Sequence, residues 1–243
     1  MTGAVTELVF RQDPYARTCE ARVVAVNDRG GIILDRTVFY ATSGGQPGDS
    51  GWLEIEGTGT IPVAVAVYDD NRDIVHVVPE GTALPQPGAA VLCRLDWDRR
   101  YAHMRIHTCL HLLCSLVPYP VTGGGISTDN GRLDFDIADP DAVNRETIGD
   151  GLNRLIAEDH PVSDRWIADE ELAARPELVR TMAVKPPMGT GRVRLVEIGA
   201  GGGVDLQPCG GTHVASTAEI GPVAVQKIEN KGRQNRRIRV GFA

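Results

Sequence analysis

The sequence predicts an α+β protein in two parts, a small β-barrel over residues 1–95 and an α+β domain over residues 96–243. Three observations carry this expectation. Up to residue 95, short apolar runs are cut by turn clusters at the spacing of a small barrel or sandwich. At Asp96 the apolar spacing becomes helical. From there to Ala243, helical and strand-like segments alternate.

In chain order, strands are expected at 21–26, 31–34, 52–55, 61–67, 74–78 and 90–95. Their breaks hold Asn27-Asp28 with Gly30-Gly31, Asp69-Asp70-Asn71, and the cluster Pro85-Gln86-Pro87-Gly88. Asp96 or Asp98 then caps a helix running to about Leu116, stopped by Pro118 and Pro120. Ile106, Leu110, Leu113 and Val117 give that helix its apolar stripe. Gly123-Gly124-Gly125 reads as a turn before a strand at 132–137. Asp139-Pro140 reads as the start of a helix reaching about Glu158. Strands follow at 162–168, 193–198, 204–207, 223–228 and 236–242, with a short helix at 169–175.

The 243 residues carry 25 Lys+Arg against 32 Asp+Glu, a net charge of −7, which disfavours a nucleic-acid coat protein. The distribution matters more than the total. From Ala224 to Ala243 six basic residues face only Glu229, a local +5, so −12 falls on the first 223 residues. Five scattered cysteines do not make a disulfide framework, and no apolar run suits a signal peptide or membrane helix. The expectation is a cytoplasmic protein with reduced thiols.

The sharpest chemical feature is His107-Thr108-Cys109-Leu110-His111 on the expected helix, paired with Cys209-Gly210-Gly211-Thr212-His213. Residues four apart on a helix lie one turn apart on one face, so two imidazoles can converge on one ion. The second pair has the same spacing, on what its glycines suggest is a loop. Cys and His together suit zinc. Thr108 stands where a zinc peptidase needs its glutamate, so that chemistry is disfavoured. Four protein ligands suit a structural site, whereas catalysis needs an open or movable position; the spacing leaves both open. His103, one turn earlier, is expected behind the ligands or facing solvent.

Two further segments stand out. Residues 39–51 form a glycine-rich stretch in which Gly44 and Gly45 let backbone approach a partner and Gln46 offers both donor and acceptor. It has no Lys-Ser/Thr after its glycines and is no phosphate-binding P-loop, so a plain hairpin loop is the alternative. The basic tail reads as two strands around a turn, with Lys227, Lys231, Arg233, Arg236 and Arg237 as candidate phosphate contacts.

Together these segments, with residues 105–113, 132–136 and 205–213, resemble the AlaX proteins, free-standing relatives of the alanyl-tRNA synthetase editing domain. The resemblance spans nearly the whole chain and keeps the family's order. It implies a translation-factor-like barrel followed by the editing domain shared with threonyl- and alanyl-tRNA synthetases. It places zinc ligands on His107, His111, Cys209 and His213, and an editing-associated glutamine on Gln46. Cys109 departs from the usual alanine. The implied activity is hydrolysis of the ester of Ser-tRNA(Ala), and of Gly-tRNA(Ala), with zinc lowering the pKa of its water to roughly 7 and polarising the carbonyl. Gln46, Thr108 and Cys209 are then the candidate catalytic residues, and Gly44, Gly45 and the basic tail the candidate tRNA contacts. No motif carboxylate is an evident general base. The alternatives are a tRNA-binding module with structural zinc, and a zinc hydrolase of small esters or amides.

Overall fold

A computed structural model describes residues 6–55, 59–182 and 191–243. Its contacts divide the chain into Met1–Tyr101 and Ala102–Ala243. Among the described residues no helix is long and apolar enough to cross a membrane.

The first unit holds β1 (Glu7–Leu8), a single helical turn α1 (Val9–Gln12), β2 (Thr18–Val26), β3 (Ile32–Leu34), β4 (Arg36–Thr37), β5 (Gly51–Ile55), β6 (Gly59–Val63), β7 (Val65–Tyr68), β8 (Ile74–Val77) and β9 (Ala90–Leu95). Seven strands form one nearly closed sheet in the order β6-β5-β9-β2-β3-β8-β7, every pair antiparallel. β2 explains the curl. Its first half pairs with β9 and its second half with β3, and a register shift between Val23 and Ala25 bends it from one to the other. Ala21, Val23, Ile32, Leu34, Leu53, Val91 and Leu95 alternate into one apolar core. The expected strand at 61–67 divides at Ala64 into β6 and β7, because Ala64 and Ala66 turn their N–H groups to Val77 O and Asp49 O.

The glycine-rich segment is packed much more tightly than a plain hairpin loop. Val38, Phe39, Tyr40 and Ala41 are buried in the core, and a Cβ on Gly48 would lie 2.0 Å from Ala66 O. Its tip is a two-residue turn in which Ser43 and Gln46 exchange backbone hydrogen bonds of 3.1 and 2.9 Å. Gly44 and Gly45 sit at φ 57° and 85°, the pair of positive values that a type I′ turn requires. The segment is anchored by an ion pair without solvent contact between Asp49 and Arg100. Arg100 Nε lies 3.0 and 2.9 Å from the two Asp49 oxygens, and its other nitrogens donate to Pro14 O and Val38 O. Asp49 also accepts from Tyr40 N at 2.6 Å.

The second unit takes in most of α2 (Trp97–Leu116), then β10 (Val121–Ile126), β11 (Asn130–Asp136), α3 (Arg145–Ala157), β12 (Val162–Ala168), α4 (Asp169–Ala173), β13 (Arg192–Ile198), β14 (Asp205–Pro208), β15 (Val223–Asn230) and β16 (Asn235–Phe242). Asp96 caps α2, accepting from Arg99 N at 3.3 Å. Four strands pair in the order β10-β11-β16-β15 and three in the order β12-β13-β14, all antiparallel. The expected stripe of Ile106, Leu110, Leu113 and Val117 is buried. α2 lies so close to β11 that a Cβ on Gly131 would meet Ile106 Cγ2 at 2.6 Å.

Two expectations are corrected. Gly123-Gly124-Gly125 is not a turn but the middle of edge strand β10, where the missing side chains let β10 lie close against Leu133 and Arg132 of β11. The Asp139-Pro140 start opens only a single 3₁₀ turn, Pro140–Ala142. α3 begins afresh at Arg145, capped by Asn144, whose Oδ1 accepts from Glu146 N and Thr147 N.

Removing one partner of a buried ion pair leaves the other charge unpaired, at a cost of about 3–5 kcal/mol. Arg100→Met is therefore expected to lower unfolding free energy by about that amount. Urea denaturation measures it, and a loss comparable to that of an exposed pair such as Arg94–Glu54 would contradict the anchoring role.

Candidate metal centre

The helix supplies two ligands by its geometry alone. His107 and His111, one turn apart on α2, are 8% and 6% exposed, with ring centroids 5.3 Å apart. The other two arrive on the loop after β14. Cys209 Sγ lies 3.5 Å from His107 Nε2 and 3.3 Å from His213 Nε2. The four donor atoms lie within 4.8 Å of one another. Tetrahedral zinc, with bonds of about 2.3 Å to sulfur and 2.0–2.1 Å to nitrogen, sets S and N about 3.5 Å apart. The four side chains fit such an ion in donor chemistry and in spacing.

Hydrogen bonds behind the rings fix which nitrogen faces inward. Asp205 Oδ2 accepts from His111 Nδ1 at 2.7 Å, which leaves His111 Nε2 as the donor atom. Gln207 Nε2 holds both Asp205 oxygens, at 3.1 and 2.9 Å. Thr108 does the same for His213. Its hydroxyl proton goes to Met104 O at 2.9 Å, because a carbonyl only accepts. His213 Nδ1, 3.2 Å from Thr108 Oγ1, must then donate, leaving Nε2 free to bind. Thr108 also accepts from Val214 N at 3.3 Å and is fully buried.

Burial disfavours a charged thiolate at Cys209, yet the neighbouring charges of His107 and His213 and hydrogen bonds from His107 and His111 hold its pKa well below the usual thiol value. Burial, with the charge of His107, pushes His213 well down. Burial alone would lower His111 too, but its hydrogen bonds to Asp205 and Cys209 raise it to about 10. A thiolate at Cys209 and a neutral His213 suit a metal-binding set, whereas His111 must give up a proton before its Nε2 can bind an ion.

Arg194 of β13 shapes the ligand loop. Its Nη1 donates to Cys209 O and Gly211 O, both at 3.0 Å, and its Nη2 to Asp164 Oδ1 at 3.0 Å. In return Cys209 N donates to Arg194 O at 3.1 Å, and Gly211 N points at Cys209 Sγ at 3.4 Å. The loop is therefore fixed to the three-stranded sheet at its first and third residues.

The other candidates divide. Gln46 is fully buried in the first unit, with Gly44 and Gly45 exposed beside it. His103 does not face solvent: it is 1% exposed. Cys109 is buried away from the ligands, its thiol pushed up to about 12 by burial. In the basic hairpin, Lys227, Lys231 and Arg233 are exposed near the turn. Arg236 departs from its expected role: it is 4% exposed and donates to Ala138 O at 3.2 Å. Arg237 is half-buried and grips both Asp134 oxygens at 2.7 and 2.8 Å. Burial works against that carboxylate, but Arg237 and Arg132 hold Asp134 below the usual carboxylate range. Neither Asp205, four residues before Cys209, nor Arg194 stands out in the residues alone, since Arg194 meets the loop through backbone carbonyls that no side-chain motif can mark.

Comparison with known proteins accords with this geometry. Residues 193–239, which carry Arg194, Asp205, the Cys209–His213 loop and the basic hairpin, match the threonyl and alanyl tRNA synthetase second additional domain. Residues 14–99 match the class II (A) tRNA synthetases. The chain is 36% identical to alanyl-tRNA editing protein AlaX-M of Methanosarcina acetivorans, over 96% of its own length and 98% of the relative's. The chain belongs to the AlaX family. Its AlaX-M relative in Saccharolobus solfataricus is 33% identical over 96% of this chain and 98% of the relative. Alanine–tRNA ligase of Pyrobaculum aerophilum is 35% identical over 92% of this chain, which there covers 25% of the ligase. This chain thus matches about a quarter of the ligase's length.

Groups that orient metal ligands from behind typically change metal affinity 10–100-fold when removed. Asp205→Asn and Arg194→Met are each expected to weaken Zn²⁺ binding by roughly that factor. Competition with a chromophoric chelator measures this; an unchanged affinity in both variants would remove the orienting role.

Proposed function

We propose that this chain is a trans-editing deacylase that hydrolyses the aminoacyl ester of tRNA(Ala) mischarged with serine, and also with glycine, in the cytoplasm. The carrying observation is the convergence of His107, His111, Cys209 and His213 in a chain of the AlaX family. The first unit is read as the translation-factor-like barrel and the second as the editing domain. Held by the four side chains, zinc would supply a positive charge able to polarise the ester carbonyl and make water more acidic. The protein's own residues prepare that site. Asp205 and Thr108 keep Nε2 of His111 and His213 facing inward, and Arg194 holds the loop that carries Cys209. Thr108, with its hydroxyl engaged by Met104 O and His213, acts as a positioning residue in this reading. Gln46 keeps its proposed part in editing through the buried glycine-rich segment, with Gly44 and Gly45 offered to tRNA.

Discrimination against alanine is the harder demand. A site that hydrogen-bonds the serine hydroxyl rejects the analogue lacking it by up to ~10⁴–10⁵. For RNA contact, Lys227, Lys231 and Arg233 are the residues whose charges reach solvent. Lys227 and Lys231, both exposed, share the partly buried Glu229 at 3.0 and 3.8 Å, a partner that phosphate can displace.

A second reading, a tRNA-binding module with structural metal, is favoured by the ligand count, since four protein ligands are the pattern of closed zinc sites. One assay separates the two. The full chain is incubated with Ser-tRNA(Ala), Ala-tRNA(Ala) and a free seryl ester. Deacylation predicts serine release from the tRNA alone, falling to the no-enzyme rate in Cys209→Ala. Binding without release would establish the second reading, and hydrolysis of the free ester at a matching rate would point to a small-ester hydrolase.

Each phosphate contact contributes about 0.7–0.9 to the slope of log affinity against log salt. The pair of substitutions Lys231→Ala and Arg233→Ala is expected to flatten that slope by about 1.5. Arg236→Ala is expected to lower stability and leave the slope unchanged, because its guanidinium is buried. Filter binding across a salt series reads both.

A further inference from the structure

Two of the five cysteines face each other outside the metal centre. Cys19 on β2 and Cys93 on β9 are directly opposed in register, with side chains toward the barrel core. The hydrogen bonds Leu95 N to Arg17 O and Val23 N to Ala89 O fix the phase of the β2–β9 ladder. Every second pair from there is hydrogen-bonded, and Cys19–Cys93 is one of them. Such pairs set their Cα atoms about 5.5 Å apart, inside the range that a disulfide spans, while their Cβ atoms, also about 5.5 Å apart, must draw together by about 1 Å to close one. Each thiol is the first influence on the other's acidity, lowering Cys19 and raising Cys93.

Their surroundings are unequal. Cys93 is fully buried, whereas Cys19 is half-buried. The Cys19 sulfur takes hydrogen bonds from the Cys93 thiol and the backbone of Val38, with the Arg36 cation near; these outweigh burial and Asp35 and lower its pKa. The same contact and burial push Cys93 up.

We propose that Cys19 and Cys93 form a thiol–disulfide exchange site for a small disulfide of the glutathione type, with Cys19 attacking and Cys93 resolving. Cys19 thiolate attacks one sulfur of the small disulfide, forming a mixed disulfide and releasing one thiolate. Cys93 then gives up its proton and attacks the Cys19 sulfur, expelling the second thiolate. Two protein thiols are oxidised to one disulfide, and one small disulfide is reduced to two thiols. The product bridges β2 to β9 across the centre of the seven-stranded sheet.

The test uses the zinc-loaded full chain, incubated with glutathione disulfide near neutral pH, alkylated and mapped by mass spectrometry. The expected result is a Cys19–Cys93 linked peptide pair, loss of alkylation at both positions, and full return of both on reduction with dithiothreitol. Cys93→Ser is expected to trap a glutathione adduct on Cys19, and Cys19→Ser to give neither adduct nor bridge. Complete alkylation of both thiols in the unsubstituted chain would overturn the proposal. So would a glutathione adduct that persists on Cys19 there without closing. Both decisive readings come from the unsubstituted chain and stand whether or not the variants fold.

Discussion

A single buried guanidinium gives the metal centre its shape. His107 and His111 are held by the rigidity of a helix, but Cys209 and His213 sit on a loop with two adjacent glycines, whose backbone has the most freedom to lose. Arg194 removes that freedom by holding the carbonyls of Cys209 and Gly211 while its own charge is met by Asp164. The strand register that places Arg194 beside the loop thereby also determines where the thiolate lies. His213, whose inward nitrogen is set by Thr108, reaches the centre only because the loop is in that place.

Charge is handled alike in the two units. In the first, Asp49 and Arg100 are wholly buried and share the backbone of the glycine-rich segment. In the second, Asp205 satisfies His111 while Gln207 satisfies Asp205. Buried polar groups are costly unless each finds a partner, and when satisfied they specify one arrangement over others. The glycine-rich segment is therefore a core-packed element that exposes Thr42 and the Gly44-Gly45 tip.

The local +5 of the C-terminal stretch shrinks once its partners are known. Arg236 is structural, Arg237 is committed to Asp134, and Lys227 shares Glu229 with Lys231. What remains open to a polyanion is Lys227 on β15 and the tip of the β15–β16 hairpin, where Lys231 and Arg233 are exposed. A small basic tip on an acidic chain suits selective, salt-sensitive contact better than tight coating.

Much of the design was legible in the residues alone. The periodicity of α2 fixed its apolar face and set His107 and His111 on one side of it, because a helix converts sequence spacing into direction without outside help. The change from strand-rich to mixed structure near residue 95 was legible for the same local reason. What needed the tertiary structure was everything decided by groups distant in sequence. Glycines 123–125 resemble a turn locally but form a strand because β11 is there to pair with. Asp139-Pro140 looks like a helix start, yet Asn144 is the residue whose side chain reaches the free N–H groups. Asp205 and Arg194 found their roles, and Arg236 lost its expected one, through contacts that strand pairing and loop closure create. Sequence spacing named the four side chains that converge; only packing across the chain could show what holds them.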